Sequence, residues 1–155
     1  MDAFEEAVER IRILKEAADR TGLRQFLAAD DERIQSQAIQ ALAELRDAEG
    51  IMAAFPRLDD FAKAKAIQSL GTIGDRLAAP FLRDLAANAM ALDSFTRDAL
   101  AKALGRLGGD DAIEGLRSLL ACGDSLVVST VVTVLFDMSE PKARELLDQH
   151  GQRRW

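Results

Sequence analysis

Several residue types are scarce in this sequence. Its 155 residues include no tyrosine, one tryptophan, one histidine and one cysteine. A single cysteine excludes an internal disulfide and fits a reducing compartment. Zinc sites usually draw on several histidine or cysteine side chains, so these counts disfavour a metal centre. No apolar run approaches the roughly 20 residues of a membrane span, and the acidic start, residues 1–6, is unlike a signal peptide. We therefore expect a cytoplasmic protein with no membrane partner.

The charge balance restricts the partners further. Lysine and arginine number 20 and aspartate and glutamate 26, which gives a net charge of −6. A protein that binds nucleic acid needs a basic surface, so this balance disfavours a nucleic-acid partner. Hydrophobic residues, mostly alanine and leucine, make up 48% of the chain. This composition is typical of closely packed helices.

Leucine anchors recur along the chain with similar neighbours. They are Leu14, Leu42, Leu70, Leu104 and Leu135, at intervals of 28, 28, 34 and 31 residues. A small residue stands eight positions after each anchor, and apolar residues stand three and twelve positions after it. A period in this range is the signature of a solenoid, in which each repeat buries its apolar stripe against the next. The spacing predicts two short helices joined by a tight corner in each repeat.

The clearest copy of the repeat is Ala-Ile-Gln-Ser-Leu-Gly-Thr-Ile-Gly-Asp at residues 66–75. This pattern resembles the short HEAT-like repeat found in bilin lyase subunits, and residues 63–85 and 97–120 match it best. The resemblance implies an all-α fold, a right-handed α-solenoid of about five helical hairpins. The family's basic position, seven residues before each anchor, holds Gln35, Lys63, Arg97 and Val128, so two repeats keep it.

We predict one HEAT-like repeat domain over residues 1–150, followed by a tail at 151–155. Its repeats span about 3–29, 30–58, 59–89, 90–123 and 124–150. The residues Thr21-Gly22 are expected to stop the first helix, and Gly74 to end another with a positive φ. The last helix is expected over 141–149. The tail carries Trp155, which either frays, packs on the last helix or anchors a partner.

Two further features carry structural expectations. Residues 125–138 are β-branched and apolar on nearly every face, which predicts a helix buried on both sides, with a strand as the alternative. Arg97 is expected to bond an acidic corner, Asp75 or Asp110, as a structural tie between repeats.

No motif points to catalysis. No serine or cysteine stands with a histidine at a readable spacing. The glycine-rich segment 105–109 follows a helix instead of a strand, so it reads as a repeat corner and not a phosphate loop. The acid pairs 59–60 and 110–111 fall at helix starts, where carboxylates satisfy free N–H groups. We predict no catalytic, cofactor-binding or metal-binding residues, and no cofactor.

The remaining candidate is a surface. In solenoids the second helices usually line the concave wall. Positions ten and thirteen after the anchors should be neighbours there, with Arg83 and Arg117 as a two-step basic ladder and an exposed aromatic residue and a methionine at one end. Alternatively, both arginines are solvated or pair with Asp84 and Glu114. The predicted partner-binding residues are Met52, Phe55, Arg83, Glu114, Arg117, Glu145 and Asp148.

The leading hypothesis is a non-enzymatic module that binds another protein on this concave wall. One alternative is a subunit of a bilin-lyase-like enzyme, as the resemblance implies. A second is a HEAT-like nucleic-acid-binding module, which the acidic balance disfavours. Self-association through the flank of either end repeat is also open.

Overall fold

The structure, a computed structural model, describes residues 1–153, with side chains to residue 151. Trp155 and the predictions for it lie outside the described residues. Ten α-helices and no strand occur in the part described. The helices are α1 (Ala3–Glu16), α2 (Arg20–Gln25), α3 (Glu32–Glu44), α4 (Ala48–Ala54), α5 (Asp60–Ile73), α6 (Ala78–Ala87), α7 (Ser94–Leu107), α8 (Gly109–Leu120), α9 (Ser125–Asp137) and α10 (Pro141–Arg153). The predicted fold class, all-α with HEAT-like helical hairpins, is confirmed.

The helices alternate between two roles. The odd-numbered helices are the first helices of the repeats, and the even-numbered ones are the second helices. Three second helices continue into 3₁₀ turns at Phe26–Ala28, Phe55–Arg57 and Ala89–Ala91. The third of these turns lies within the longest interval between anchors, the 34 residues from Leu70 to Leu104.

The contacts divide the chain into two compact units. Unit 1 is Met1–Ile73, and unit 2 begins at Gly74. In unit 1, α3 packs against both α1 and α5. In unit 2, α8 packs against α6 and α7, while α9 packs against α7 and α10. The single domain predicted for residues 1–150 stays a prediction.

The leucine anchors form the centre of each core. Leu42, Leu70 and Leu104 are 0% exposed, and Leu135 is 1% exposed. Leu14, in the most divergent repeat, is half-buried. The periodicity therefore identified four anchors that are buried, and the fifth, Leu14, is buried only in part.

Aspartates begin most of the helices. Asp2 accepts a hydrogen bond from the Glu5 backbone, and the Glu5 side chain accepts one from the Asp2 backbone, which together form a capping box. Five other aspartates bond backbone N–H groups at the starts of α2, α3, α4, α7 and α9: Asp19, Asp31, Asp47, Asp93 and Asp124. These bonds satisfy donors that a helix start leaves free.

Four corners between a first and a second helix contain a residue with a left-handed backbone. Gly74 has φ 73°, as predicted. At the equivalent position of unit 1, Ala18 has φ 53° and Arg46 has φ 59°. The stop predicted at Thr21-Gly22 is wrong, because α1 ends at Glu16 and Gly22 lies inside α2. A Cβ at Gly22 would collide with the Leu14 side chain, so close packing is the reason for this glycine.

Two predictions about the last repeat need correction. Helix α10 continues to Arg153, so residues 151–153 of the predicted tail are helical. Helix α9 is a helix and not a strand, but it is not buried on both sides. Its buried residues are Val127, Val131 and Leu135. Leu126 is 72% exposed and Phe136 is 71% exposed.

In two repeats, the residue seven positions before the anchor links one first helix to the start of the next. In unit 1, the Gln35 side-chain amide donates to the Ala29 carbonyl at 2.8 Å and accepts from the Asp59 backbone N–H at 3.2 Å. In unit 2, Arg97 donates to the Ala89 carbonyl at 2.7 Å and to Asp124 at 3.3 Å. Arg97 is therefore structural, as expected, but its acid is the cap of the next first helix instead of Asp75 or Asp110.

Candidate functional site

The second helices of unit 2 present a charged surface. Arg83 on α6 contacts Asp84 at 3.1 Å and reaches Asp111 on α8 at 2.5 Å. Arg117 on α8 contacts Glu114 at 3.5 Å and donates to Gln149 on α10 at 3.2 Å. Side-chain bonds therefore connect α6 to α8 and α8 to α10.

Lys142 on α10 contacts Asp110 on α8 at 2.9 Å, which adds a second bond between these two helices. We call this surface the second-helix face. It consists of Arg83, Asp84, Asp110, Asp111, Glu114, Arg117, Lys142, Glu145, Asp148 and Gln149.

Neighbouring carboxylates favour the charged form of two cations of this face, Arg83 and Lys142. The hydrogen bond to Asp84, followed by the one to Asp111, raises the pKa of Arg83. The bond to Asp110 raises the pKa of Lys142. The predicted two-step basic ladder is thus neutralised by neighbouring carboxylates, which is the alternative that the sequence left open.

Carboxylates remain after this pairing. Glu145 and Asp148 are exposed and make no ion pair with any described residue. They line an open cavity of about 580 Å³ on α10 and the segment before it. Arg144 is the one cation among the residues that line it, so this part of the face has an excess of negative charge.

The other two predicted site residues lie in unit 1. Met52 is half-buried on α4. Phe55 is only 5% exposed, which contradicts its expected place on an exposed wall. Pro56 lies within the 3₁₀ turn that follows α4, so Phe55 leaves the α-helical register. The Lys63 ammonium lies 5.7 Å from the Phe55 ring centroid.

Five residues of the second-helix face were not among the predicted site residues: Asp84, Asp110, Asp111, Lys142 and Gln149. Asp110 and Asp111 were interpreted only as acids at a helix start, and they do lie in the first turn of α8. A search for opposite charges one repeat apart would have found both pairs. Arg83 and Asp111 are 28 residues apart, and Asp110 and Lys142 are 32 apart.

Other kinds of site find little support in residues 1–153. No group of three or more histidine, cysteine, aspartate or glutamate side chains there is arranged to hold a metal ion. None of the helices described is both long enough and apolar enough to cross a bilayer.

Stacked helical hairpins with side-chain ties at repeat spacing define a helical-repeat protein of the solenoid class. The family described as HEAT repeats matches residues 20–92, and the PBS lyase HEAT-like repeat matches residues 96–122. The chain belongs to the HEAT-like repeat family. No curated protein and no solved structure matches the chain.

Proposed function

We propose that this chain is a non-enzymatic adaptor or scaffold that binds a positively charged segment of another protein on its second-helix face. HEAT-like repeats generally mediate protein interactions. The observation that carries the proposal is the excess of exposed carboxylates on this face, where Arg83, Arg117 and Lys142 already have acidic or amide partners. The reducing cytoplasm suits such a chain with its single cysteine.

The bonds between helices favour this surface as a docking site. Arg83 and Lys142 each hold a carboxylate on a neighbouring helix, and Arg117 holds Gln149. Side chains fixed in this way lose less conformational entropy when a partner arrives. The free carboxylates, Glu145 and Asp148, would then provide the attraction for lysine or arginine side chains of the partner.

A charge-reversal experiment tests the proposal. The variant Glu145→Lys/Asp148→Lys changes the net charge by +4 and removes both free carboxylates. The control Asp30→Lys/Glu49→Lys makes the same change at two exposed acids of unit 1. The readouts are quantitative capture of proteins from native lysate and fluorescence anisotropy with a labelled oligolysine peptide.

We expect the face variant to lose captured partners and to bind oligolysine at least about tenfold more weakly than the control, because attraction at a specific face depends on more than net charge. Equal binding by both variants would show that total charge is responsible, and the second-helix face would be excluded.

Nothing on this face supports the other two functions. A bilin-lyase-like enzyme subunit should change the visible absorbance of an added bilin, and we expect no change. A nucleic-acid module should stay on heparin at moderate salt, and we expect no retention, because the face is acidic. A bilin shift or heparin retention would favour the corresponding alternative.

A further inference from the structure

We propose that a small cavity between α8 and α10 binds a carboxylate on a short aliphatic stem, through the side chains of Arg117, Gln149 and His150. We call it the donor cavity. Binding there does not depend on the proposed function, because neither Glu145 nor Asp148 lines this cavity.

The donor cavity lies where the second half of α8 faces the end of α10. Its volume is about 170 Å³, and its lining residues are Arg117, Leu120, Ala121, Leu146, Gln149 and His150. About 15 Å³ of such volume is enough for one water molecule, so the cavity has room for a group of several heavy atoms. Gln149 also lines the open cavity beside Glu145 and Asp148, so the two cavities are neighbours on the second-helix face.

His150 is the lining residue that lacks a hydrogen-bond partner. It is the one histidine of the chain, and it is half-buried near the end of α10. Its Nε2 atom is buried and has no hydrogen-bond partner among the described residues. A buried polar atom without a partner is costly and rare in folded proteins. A ligand that supplies the missing hydrogen bond therefore gains affinity at this position.

The free hydrogen-bonding groups of the other two polar side chains are mainly donors. Arg117 donates one hydrogen bond to a described residue, to Gln149 Oε1 at 3.2 Å. A guanidinium carries five N–H donors and no acceptor, so donors remain on Arg117. The Gln149 oxygen already accepts this bond, which leaves the two N–H donors of its amide. With the proton on its Nε2, His150 adds a further donor.

This set of donors selects an anionic ligand with an apolar stem. A carboxylate accepts on two oxygens and complements the guanidinium charge, whereas an ammonium group would meet mainly donors. Glu114, the acid that contacts Arg117 at 3.5 Å, is exposed and does not line the cavity. Leu120 and Leu146 provide an apolar wall for a short aliphatic stem. A glutamate side chain and a free short-chain acid such as propionate share this chemistry.

Proton NMR of the full chain tests the site with propionate as the probe. Because His150 is the one histidine, its two ring C–H signals report on the cavity directly. At constant pH and ionic strength, we expect propionate to shift both signals saturably. Propionamide, which has nearly the same shape and no charge, should leave them unchanged. No saturable shift with propionate, or an equal response to propionamide, would overturn the proposal.

Two arginine variants that lose the same charge show whether the donor cavity is responsible. Arg117→Leu should weaken propionate binding at least about tenfold, because the ligand loses a charge-assisted hydrogen bond. Arg144→Leu is the matched control and should bind like the wild type, since Arg144 is exposed on α10 and does not line the cavity. Circular dichroism checks that both variants fold. Unchanged binding by Arg117→Leu, or an equal loss in both variants, would exclude the donor cavity.

Two peptides with blocked ends distinguish the source of the carboxylate. One is a lysine peptide with a central glutamate, and the other has glutamine in its place. If a partner protein supplies the carboxylate, the wild type binds the glutamate peptide more tightly, and Arg117→Leu loses this preference. Propionate binding without such a preference assigns the cavity to a free short-chain acid. The Glu145→Lys/Asp148→Lys variant should still bind propionate, so this proposal and the proposed function can fail separately.

Discussion

Gln35 and Arg97 occupy the same position of two repeats, and the side chain of each links one first helix to the start of the next. We call these two links the ties, and their chemistry differs. Gln35, in unit 1, is a neutral amide that is 3% exposed and bonds two backbone groups. Arg97, in unit 2, is a cation that bonds one backbone carbonyl and the Asp124 carboxylate. Gln35 bonds the carbonyl directly after a 3₁₀ turn, and Arg97 bonds a carbonyl within one. Both side chains also hold the start of the next first helix. The position therefore requires a donor of the right reach, and a positive charge is optional.

Removing the ties should produce the largest effects. We expect Gln35→Leu to lower the free energy of unfolding by about 1–3 kcal/mol, because the Ala29 carbonyl loses its donor in a mostly buried place. Arg97→Met should cost more, because hydrogen bonds to charged groups contribute more than neutral ones. Urea unfolding followed by circular dichroism measures both losses.

Lys63→Met is the matched control, since Lys63 holds the same position in its repeat but lies over the Phe55 ring. Its loss should stay below about 1 kcal/mol, the size of a cation–π contact at a partly exposed site. Equal losses at all three positions would contradict the comparison.

Low pH should weaken the stabilisation that comes from the Arg97 tie and leave that of the Gln35 tie unchanged. A side-chain hydrogen bond from Ser94, together with backbone N–H groups and Arg97, lowers the pKa of Asp124 below its ordinary 3.8. The contribution of a group with a depressed pKa is present above its unfolded pKa and is lost as the pH falls through its folded pKa. The stability gap between wild type and Asp124→Asn should therefore be widest at neutral pH and close in strong acid.

The neutral tie gives the control for this prediction. The gap between wild type and Gln35→Leu should not change with pH, since the Gln35 amide does not titrate. The measurement is the urea midpoint of each variant from neutral pH into the acid range. A gap for Asp124→Asn that is independent of pH would show that the charged tie does not contribute through the carboxylate.

Substitutions at the corners between first and second helices should change the free energy of unfolding least. Ala18 and Gly74 occupy the same left-handed position, but only glycine adopts it without steric cost. We expect Ala18→Gly to stabilise by about 0.5 kcal/mol, after the entropy cost of glycine, and Gly74→Ala to destabilise by about 1 kcal/mol. Thermal unfolding measures both changes. Ala17→Gly, at a neighbouring residue with an ordinary φ of −81°, should be slightly destabilising. A destabilised Ala18→Gly would show that its corner is not strained.

The periodicity predicted the fold because it reports burial. Leu42, Leu70 and Leu104 recur because each belongs to the apolar stripe of a first helix, and all three are 0% exposed. The same periodicity cannot tell whether another helix packs on the far side of a given first helix. For this reason, the apolar helix α9 was expected to be buried on both sides, although Phe136 is exposed.

The surface was less predictable, because side-chain partners depend on angles that spacing does not contain. Counting basic residues made Gln35 a departure from the family pattern, whereas the structure gives it the same role as Arg97. Arg83 and Arg117 were placed correctly on second helices, but their carboxylate partners come from adjacent turns and repeats. Phe55 was misplaced because the 3₁₀ turn with Pro56 interrupts the helical count.

The side chains of Val128 and Phe136 on α9 also matter for any attempt to lengthen the array of repeats. A hairpin fused after α10 would meet the exposed ring of Phe136 where α7 presents Gly105, and would find no side-chain donor at Val128 where α7 has Arg97. Phe136→Gly and Val128→Arg would recreate the arrangement of Gly105 and Arg97. With these two changes, α9 would offer a following helix the same two side chains that α7 offers to α9.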